Sequence, residues 1–206
     1  MMRDTAAWLG EWLGSSMRRV GQLTIAPVAE GWELRHTEDV ARADLALFTK
    51  WEDARALANL NDAGAFRPLK TAPNLRHGWR LVLPSVADVK RALDFFYPAM
   101  LGLWLAHNHG ELAPVHLRET LARQTGMYRI TQKLSDEQAQ SLVGTTCRSD
   151  GGCLKTILWR VDAERPVGSL PEEKFAVRER DGLPLLCHEA CNLLVAEARK
   201  VVKGTA

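Results

Sequence analysis

All four cysteines of the chain lie in two short stretches, Cys147-Arg-Ser-Asp-Gly-Gly-Cys153 and Cys187-His-Glu-Ala-Cys191. They form a C-x5-C pair and a C-x3-C pair, with 33 residues between the pairs. Four cysteines are too few for the disulfide framework of a chain of this size. Cysteines in a reducing compartment are metal ligands, catalytic thiols or core residues. The close pairing favours a metal centre over four unrelated core thiols.

The spacing favours an iron-sulfur cluster over zinc. A 4Fe-4S cluster needs four thiolates that converge on one cube, and each stretch can supply two of them. Gly151 and Gly152 allow the first stretch to turn tightly. Structural zinc also binds four cysteines, but more often through C-x2-C or C-x4-C spacings. Zinc, disulfides and free core thiols stay open as alternatives at this point.

Composition excludes several classes of protein. The chain has 27 Lys and Arg against 25 Asp and Glu, so a formal net charge of +2 does not favour nucleic-acid binding. No apolar run approaches the roughly 18 residues needed to cross a bilayer, so we expect no membrane span. The N-terminus lacks the apolar stretch of a signal peptide. The sequence therefore predicts a cytoplasmic protein.

Hydrophobic periodicity predicts an α+β fold, with an N-terminal mixed α/β part packed on a helical C-terminal part that carries the cysteines. We place the domain boundary after residue 84, giving domains 1–84 and 85–206. Predicted helices cover residues 4–19, 50–61, 85–96 and 189–202, others follow Pro98 and Pro114, and another follows a capping box at Ser135 and Gln138. Predicted strands include a hairpin over 23–36 and the segments 79–83, 127–131 and 154–161.

A longer stretch carries a family resemblance. It reads Asn61-Asp-Ala-Gly-Ala-Phe-Arg-Pro-Leu-Lys-Thr-Ala-Pro-Asn-Leu-Arg-His-Gly-Trp79-Arg80, and it is followed by Ala92-Leu-Asp94, Tyr97-Pro-Ala99 and Gly126-Met-Tyr-Arg-Ile-Thr131. Together with the cysteine stretches and Trp159, it resembles the stabilising domain of a family of bacterial iron-sulfur proteins. In that family the domain follows CbiX-like chelatase domains and precedes a C-terminal 4Fe-4S domain.

The resemblance implies a ligand set and a setting. Cys147, Cys153, Cys187 and Cys191 would hold the cluster, and the setting would be tetrapyrrole or cobalamin metabolism. Because 206 residues leave no room for a chelatase domain, we do not expect this chain to insert metal by itself. We expect a redox or accessory protein that passes single electrons to a bound tetrapyrrole or to a partner enzyme.

Basic residues are the candidates for binding the cofactors. Arginine forks suit the carboxylates of a tetrapyrrole, although arginines in a long loop also bind backbone carbonyls. The candidates in and after the proline-containing loop are Arg67, Lys70, Arg76 and Arg80. Arg148 and Lys155 flank the first cysteine pair, where a cation stabilises the reduced and more negative state of a cluster.

Two further alternatives stay open. C-x5-C followed by C-x3-C is also the spacing that binds the cluster in sirohaem-dependent sulfite and nitrite reductases, where the last cysteine, here Cys191, would bridge to sirohaem iron. A protein with a structural cluster or zinc is the non-catalytic alternative. His107, His109 and His116 could bind a metal, and a solvated helix end explains them equally well.

Overall fold

The computed structural model describes residues 5–59, 75–109, 133–146, 155–157, 182–183, 185–187 and 192–204. The helices in these ranges are α1 (Thr5–Leu13), α2 (Ala54–Asn59), α3 (Val86–Phe96), α4 (Met100–Asn108), α5 (Asp136–Thr146) and α6 (Asn192–Lys203). The strands are β1 (Arg18–Val20), β2 (Leu23–Val28), β3 (Gly31–His36), β4 (Ala46–Phe48), β5 (Trp79–Leu83), β6 (Lys155–Ile157), β7 (Gly182–Leu183) and β8 (Leu185–Cys187). The predicted α+β class is confirmed. None of these helices is long and apolar enough to cross a membrane.

The strands form two sheets. Six of them make a mixed sheet in the order β4-β5-β3-β2-β1-β7, whereas β6 and β8 make a parallel pair. The four central strands are antiparallel to one another, and the edge strands β4 and β7 each run parallel to the strand beside them. Antiparallel neighbours require only short turns, which fits the close spacing of β1, β2 and β3 along the chain.

The chain divides into two compact units. The first comprises Met1–Leu69, Asn74–Leu105 and Val177–Pro184, and it contains the six-stranded sheet. The second comprises Lys70–Pro73, Ala106–Ala176 and Leu185–Ala206, and it contains the parallel pair. The first unit thus continues beyond residue 84, where the sequence suggested a boundary. It does so because α3 packs against α1, α2 and β5.

The core of the first unit follows from the two-residue period of its strands. In β5, Trp79, Leu81 and Leu83 are buried, while the two residues between them are half-buried. Leu81 pairs with Leu34 of β3, and Leu34 pairs with Ile25 of β2. All three side chains have no exposed surface, so they form one apolar row across the sheet.

Helix α3 covers the apolar face of β5. Its buried residues Val89, Ala92, Leu93 and Phe96 recur at the spacing of one helix face. Ser85 caps the helix by accepting a 3.2 Å hydrogen bond from the Asp88 backbone amide. Phe96 stacks on Trp79 with ring centroids 5.3 Å apart, which is worth about 0.5–1.5 kcal/mol beyond the area buried.

Tyr97 ties the end of α3 to the turn between β1 and β2. Its hydroxyl oxygen accepts a 2.8 Å hydrogen bond from the backbone amide of Gln22. Burial raises the pKa of the Tyr97 phenol well above its usual range, so the group is neutral throughout the physiological range. This contact spans 75 residues of sequence and holds the helix against the hairpin.

The predicted N-terminal helix through residue 19 was wrong in its length. Helix α1 ends at Leu13, and Gly14 adopts a φ of 52°. A glycine in this left-handed region is a common helix terminator. The following Arg18–Val20 segment pairs with β2 as a strand instead, because the alternation that exposes Arg19 and buries Val20 suits a strand with one exposed face.

Of the other predicted elements, some are confirmed and some lie outside the described residues. The hairpin over 23–36, the strand at Trp79–Leu83 and the capping box of Ser135 with Gln138 are confirmed. The helix expected after Thr49 begins as a 3₁₀ turn at Trp51–Asp53 and continues as α2. The helix expected at Pro114 and the strand expected at 127–131 lie outside the described residues.

Replacing Gly31 with alanine should destabilise the first unit. Gly31 has a φ of 131°, and an added Cβ would collide with the Leu83 carbonyl oxygen and lie 2.9 Å from the Pro84 Cα. Strain and overpacking together predict a loss of about 2–4 kcal/mol, measured by urea unfolding with tryptophan fluorescence. Gly102→Ala is the matched control, because within the described ranges no atom outside its own helix backbone and its two chain neighbours lies within 4 Å of its added Cβ, and it should gain about 0.5–1 kcal/mol. Equal unfolding midpoints for the two variants would contradict this account.

Candidate metal centre

Cys187 is the one predicted cluster ligand whose backbone the structure describes, and it is the last residue of β8. Cys147, Cys153 and Cys191 lie outside the described residues. The elements that flank them are described, however. Helix α5 ends at Thr146, β6 begins at Lys155, and α6 begins at Asn192.

The sequence sets each of these cysteines next to a described element. Cys147 directly follows the last residue of α5, and Cys191 directly precedes the first residue of α6. Cys153 is two residues before β6 in the sequence.

The flanking elements contact one another within the second unit. Strands β6 and β8 pair in parallel, with Lys155 opposite Leu185 and Ile157 opposite Cys187. Helix α5 packs against α6, and the buried side chains Leu142 of α5 and Leu194 of α6 supply apolar surface. The described elements next to the cysteines are thus packed in two pairs, β6 with β8 and α5 with α6. Four thiolates are the donor set that a 4Fe-4S cluster requires, so the residues present fit that group.

Helix α6 adds a favourable field for an anionic centre. Cys191 directly precedes its first residue, Asn192. The unsatisfied amides and the dipole at a helix N-terminus favour negative charge. Lys200 and Lys203 lie in the last turn, where positive side chains complement the opposite end of the dipole.

The structure describes three of the six basic residues that the sequence suggested as cofactor contacts. Lys155 lies in β6, two residues after Cys153. Arg76 lies just before β5, and its carbonyl oxygen accepts a 2.7 Å hydrogen bond from Trp79 Nε1. Arg80 lies within β5 itself. Arg67, Lys70 and Arg148 lie outside the described residues.

Arg80 belongs to a charged cluster that the sequence interpretation missed. Glu33 of β3 is buried, yet its carboxylate contacts both Arg35 and Arg80, the latter at 3.4 Å. Arg35 and Arg80 are direct cross-strand partners, and the two-residue period places both on the face opposite Leu34. The detectable signal was the alternation Glu33-Leu34-Arg35, which puts charge on one face and leucine on the other.

The two arginines differ in how much of their guanidinium is occupied. Arg35 donates to Glu33 and, at 3.1 Å, to the Val40 carbonyl oxygen. Among the described residues, the Arg80 side chain makes only the Nη1 contact to Glu33, and 43% of it is exposed. Arg80 therefore retains donors that can bind an external carboxylate, whereas Arg35 has a structural role.

The histidine candidates are not brought together by the described residues. His107 lies in α4, and His109 is exposed just after this helix. His116 lies outside the described residues. A metal role for this group stays a prediction.

Comparison with known proteins identifies both parts of the chain. Residues 6–108 match the DR2241 stabilising domain, and residues 109–200 match a 4Fe-4S iron-sulfur cluster binding domain. The chain belongs to the DR2241 stabilising-domain family. Its C-terminal part is a domain that binds a 4Fe-4S cluster, as the cysteine spacing predicted. No curated protein matches the chain.

One solved relative in this comparison is DR2241 from Deinococcus radiodurans. It is described as a multi-domain protein with structural similarity to chelatases and with two additional novel domains. The similarity has a TM-score of 0.71 with 32% sequence identity, and it covers 98% of this chain. The chain corresponds to 42% of the DR2241 chain.

Replacing any predicted ligand, Cys147, Cys153, Cys187 or Cys191, with serine should lose the cluster. Anaerobically purified wild-type protein should be brown and contain about four irons per chain. The serine variants should lose iron and absorbance, and the second unit should be destabilised because metal binding there is also folding energy. Full iron content in any one variant would remove that residue from the ligand set, and colourless wild-type protein with one zinc would overturn the cluster.

Proposed function

We propose that the chain is a 4Fe-4S redox or accessory protein of tetrapyrrole or cobalamin metabolism. A 4Fe-4S cluster supplies one-electron transfer when bound. Cys147, Cys153, Cys187 and Cys191 hold the cluster, and the recipient of the electrons is a bound tetrapyrrole or a partner enzyme. The chain's own basic residues bind and orient the tetrapyrrole.

The observation that carries this proposal is the union of two domains in one chain. This chain combines a stabilising domain of the DR2241 family with a 4Fe-4S cluster binding domain. The Deinococcus radiodurans protein, which is similar to this chain in sequence and in fold, is described as structurally similar to chelatases. Chelatases insert metal ions into tetrapyrroles, so the proposed substrate class is inferred from this relative. The cluster is inferred from the domain that this chain itself contains.

Arg80 is the described residue best placed to bind a tetrapyrrole carboxylate. Its donors are partly exposed, and Glu33 fixes one edge of the guanidinium through Nη1. A guanidinium held on one side loses less conformational entropy when it binds a ligand on the other. Arg67, Lys70 and Arg76 are further proposed contacts, and Lys155 and Arg148 are proposed to stabilise the reduced cluster.

An anaerobic redox titration tests the function. The cluster potential is measured with and without sirohydrochlorin or its metal complexes, and binding is followed by tetrapyrrole absorbance. We expect micromolar binding and a shift of the cluster potential upon binding. No binding at micromolar tetrapyrrole would overturn the substrate while leaving the cluster intact.

Arg80→Gln should weaken tetrapyrrole binding by about tenfold to a hundredfold, the cost of one charged hydrogen bond. Arg91→Gln is the matched control, because Arg91 is an exposed arginine on α3 and the change in net charge is the same. Equal weakening by both variants would assign the effect to net charge alone.

The same spectra distinguish the alternatives. A Soret-type band in the purified protein would favour a sirohaem-containing reductase. A cluster that no physiological reductant can reduce would favour a structural role. The first result would replace the accessory role with that of a reductase, and the second would overturn the electron-transfer proposal.

A further inference from the structure

A second group of metal-ligating side chains lies in the first unit, which contains none of the cysteines. His36, Glu38 and His77 each place one ligand atom within 4.8 Å of the others. Two imidazoles and one carboxylate form a donor set typical of zinc and similar divalent ions. Neither the proposed electron transfer nor the tetrapyrrole contacts use this group.

The fold brings these residues together from two separate segments. His36 is the last residue of β3 and is fully buried, and Glu38 lies in the 3₁₀ turn Thr37–Asp39 that follows. His77 comes from the segment before β5. Its ring contacts that of His36, with centroids 4.1 Å apart and planes inclined at 46°.

Asp39 fixes one segment against the other. Its buried carboxylate accepts a 2.6 Å hydrogen bond from the Gly78 amide, 39 residues along the chain. The other oxygen accepts a 3.0 Å hydrogen bond from Arg42. Because Gly78 is next to His77, this clamp holds His77 over His36 before any ligand binds.

One donor–donor distance is already close to that of an assembled site. His77 Nδ1 lies 3.7 Å from Glu38 Oε2, and ligand bonds of about 2.0–2.2 Å in a tetrahedron place donor atoms about 3.3 Å apart. The side chains of His77 and Glu38 are 48% and 73% exposed. They can therefore make the remaining adjustment, and an ion can reach them from solvent.

We propose that His36, Glu38 and His77 bind one divalent transition-metal ion of the zinc class, with its remaining position open to solvent. His36 Nδ1 now accepts a 3.1 Å hydrogen bond from the Glu38 amide. Coordination through Nδ1 gives that lone pair to the metal, and the amide of Glu38, an exposed residue, then donates to solvent. Calcium and magnesium are disfavoured because they prefer sites built from oxygen ligands.

Metal binding would stabilise the first unit. The ligands come from the turn after β3 and from the segment before β5, so one ion joins both ends of the connection between them. A ligand that binds only the folded state raises the unfolding temperature with its concentration. This effect is separate from the iron content of the second unit.

A cobalt titration of the full chain tests the site. The protein is purified anaerobically with its cluster bound, so that the cysteines are occupied, and Co²⁺ is added as a spectroscopic substitute for Zn²⁺. We expect one equivalent of Co²⁺ with d–d bands, no new thiolate charge-transfer band, and displacement by Zn²⁺. A thiolate band or no binding would overturn the proposal.

Variants of the exposed ligands identify the residues. His77→Gln and Glu38→Gln should each weaken Co²⁺ binding by at least about a hundredfold, since loss of even an outer partner costs ten- to a hundredfold. Added Zn²⁺ should raise the Tm of the wild type and of the control Glu30→Gln, which changes an exposed carboxylate outside the site, but not that of the two ligand variants. Unchanged affinity in His77→Gln, or equal loss in Glu30→Gln, would overturn the assignment. If the wild type and the two ligand variants unfold at the same midpoint without metal, misfolding is excluded as the cause of the weaker binding.

Discussion

The two-residue period of β3 is the constraint on which the first unit depends. It places Leu34 in the apolar row with Ile25 and Leu81, and it places Glu33 and Arg35 on the opposite face. A register shift of one residue would exchange these faces and bury arginine in place of leucine. The packing of α3 over β5 and the exposure of Arg80 both require the register that is present. The same period places His36 on the apolar face. Because His36 is the last residue of β3, it lies beside polar groups of the neighbouring segments, the Glu38 amide and the His77 ring.

The strand that ends in Cys187 follows directly from a strand of the first unit. β7 pairs with β1 through Gly182, and β8 pairs with β6 two residues after β7 ends. Gly182 permits this pairing because it has no side chain. A Cβ at this position would collide with the Arg19 carbonyl oxygen and lie 2.9 Å from the Arg19 Cβ. Pairing with β6 restricts the backbone of Cys187 within the second unit. Such a restriction would lower the conformational entropy cost of binding a cluster through the proposed ligand Cys187.

Local signals in the sequence were sufficient for some elements and not for others. Helix α3 and strand β5 were predictable because a capping serine and a strict alternation each lie within about ten residues. The length of α1 was misjudged because its apolar spacing suited a helix up to Arg19, while Gly14 ended it. The clusters at Glu33 and His36 depend on partners more than 40 residues away, Arg80 and His77. Such pairs follow from strand register, which hydrophobic periodicity alone does not specify.

The two units obtain their stability in different ways. The first has a six-stranded sheet covered by α3, with large side chains such as Trp79, Phe96 and Leu34 fully buried or nearly so. In the second, the described sheet is a pair of three-residue strands, and isolated two-stranded sheets are marginal in water. The packing of α5 on α6 adds apolar burial. The cluster that we propose at the neighbouring cysteines would therefore supply folding energy that a pair of three-residue strands does not.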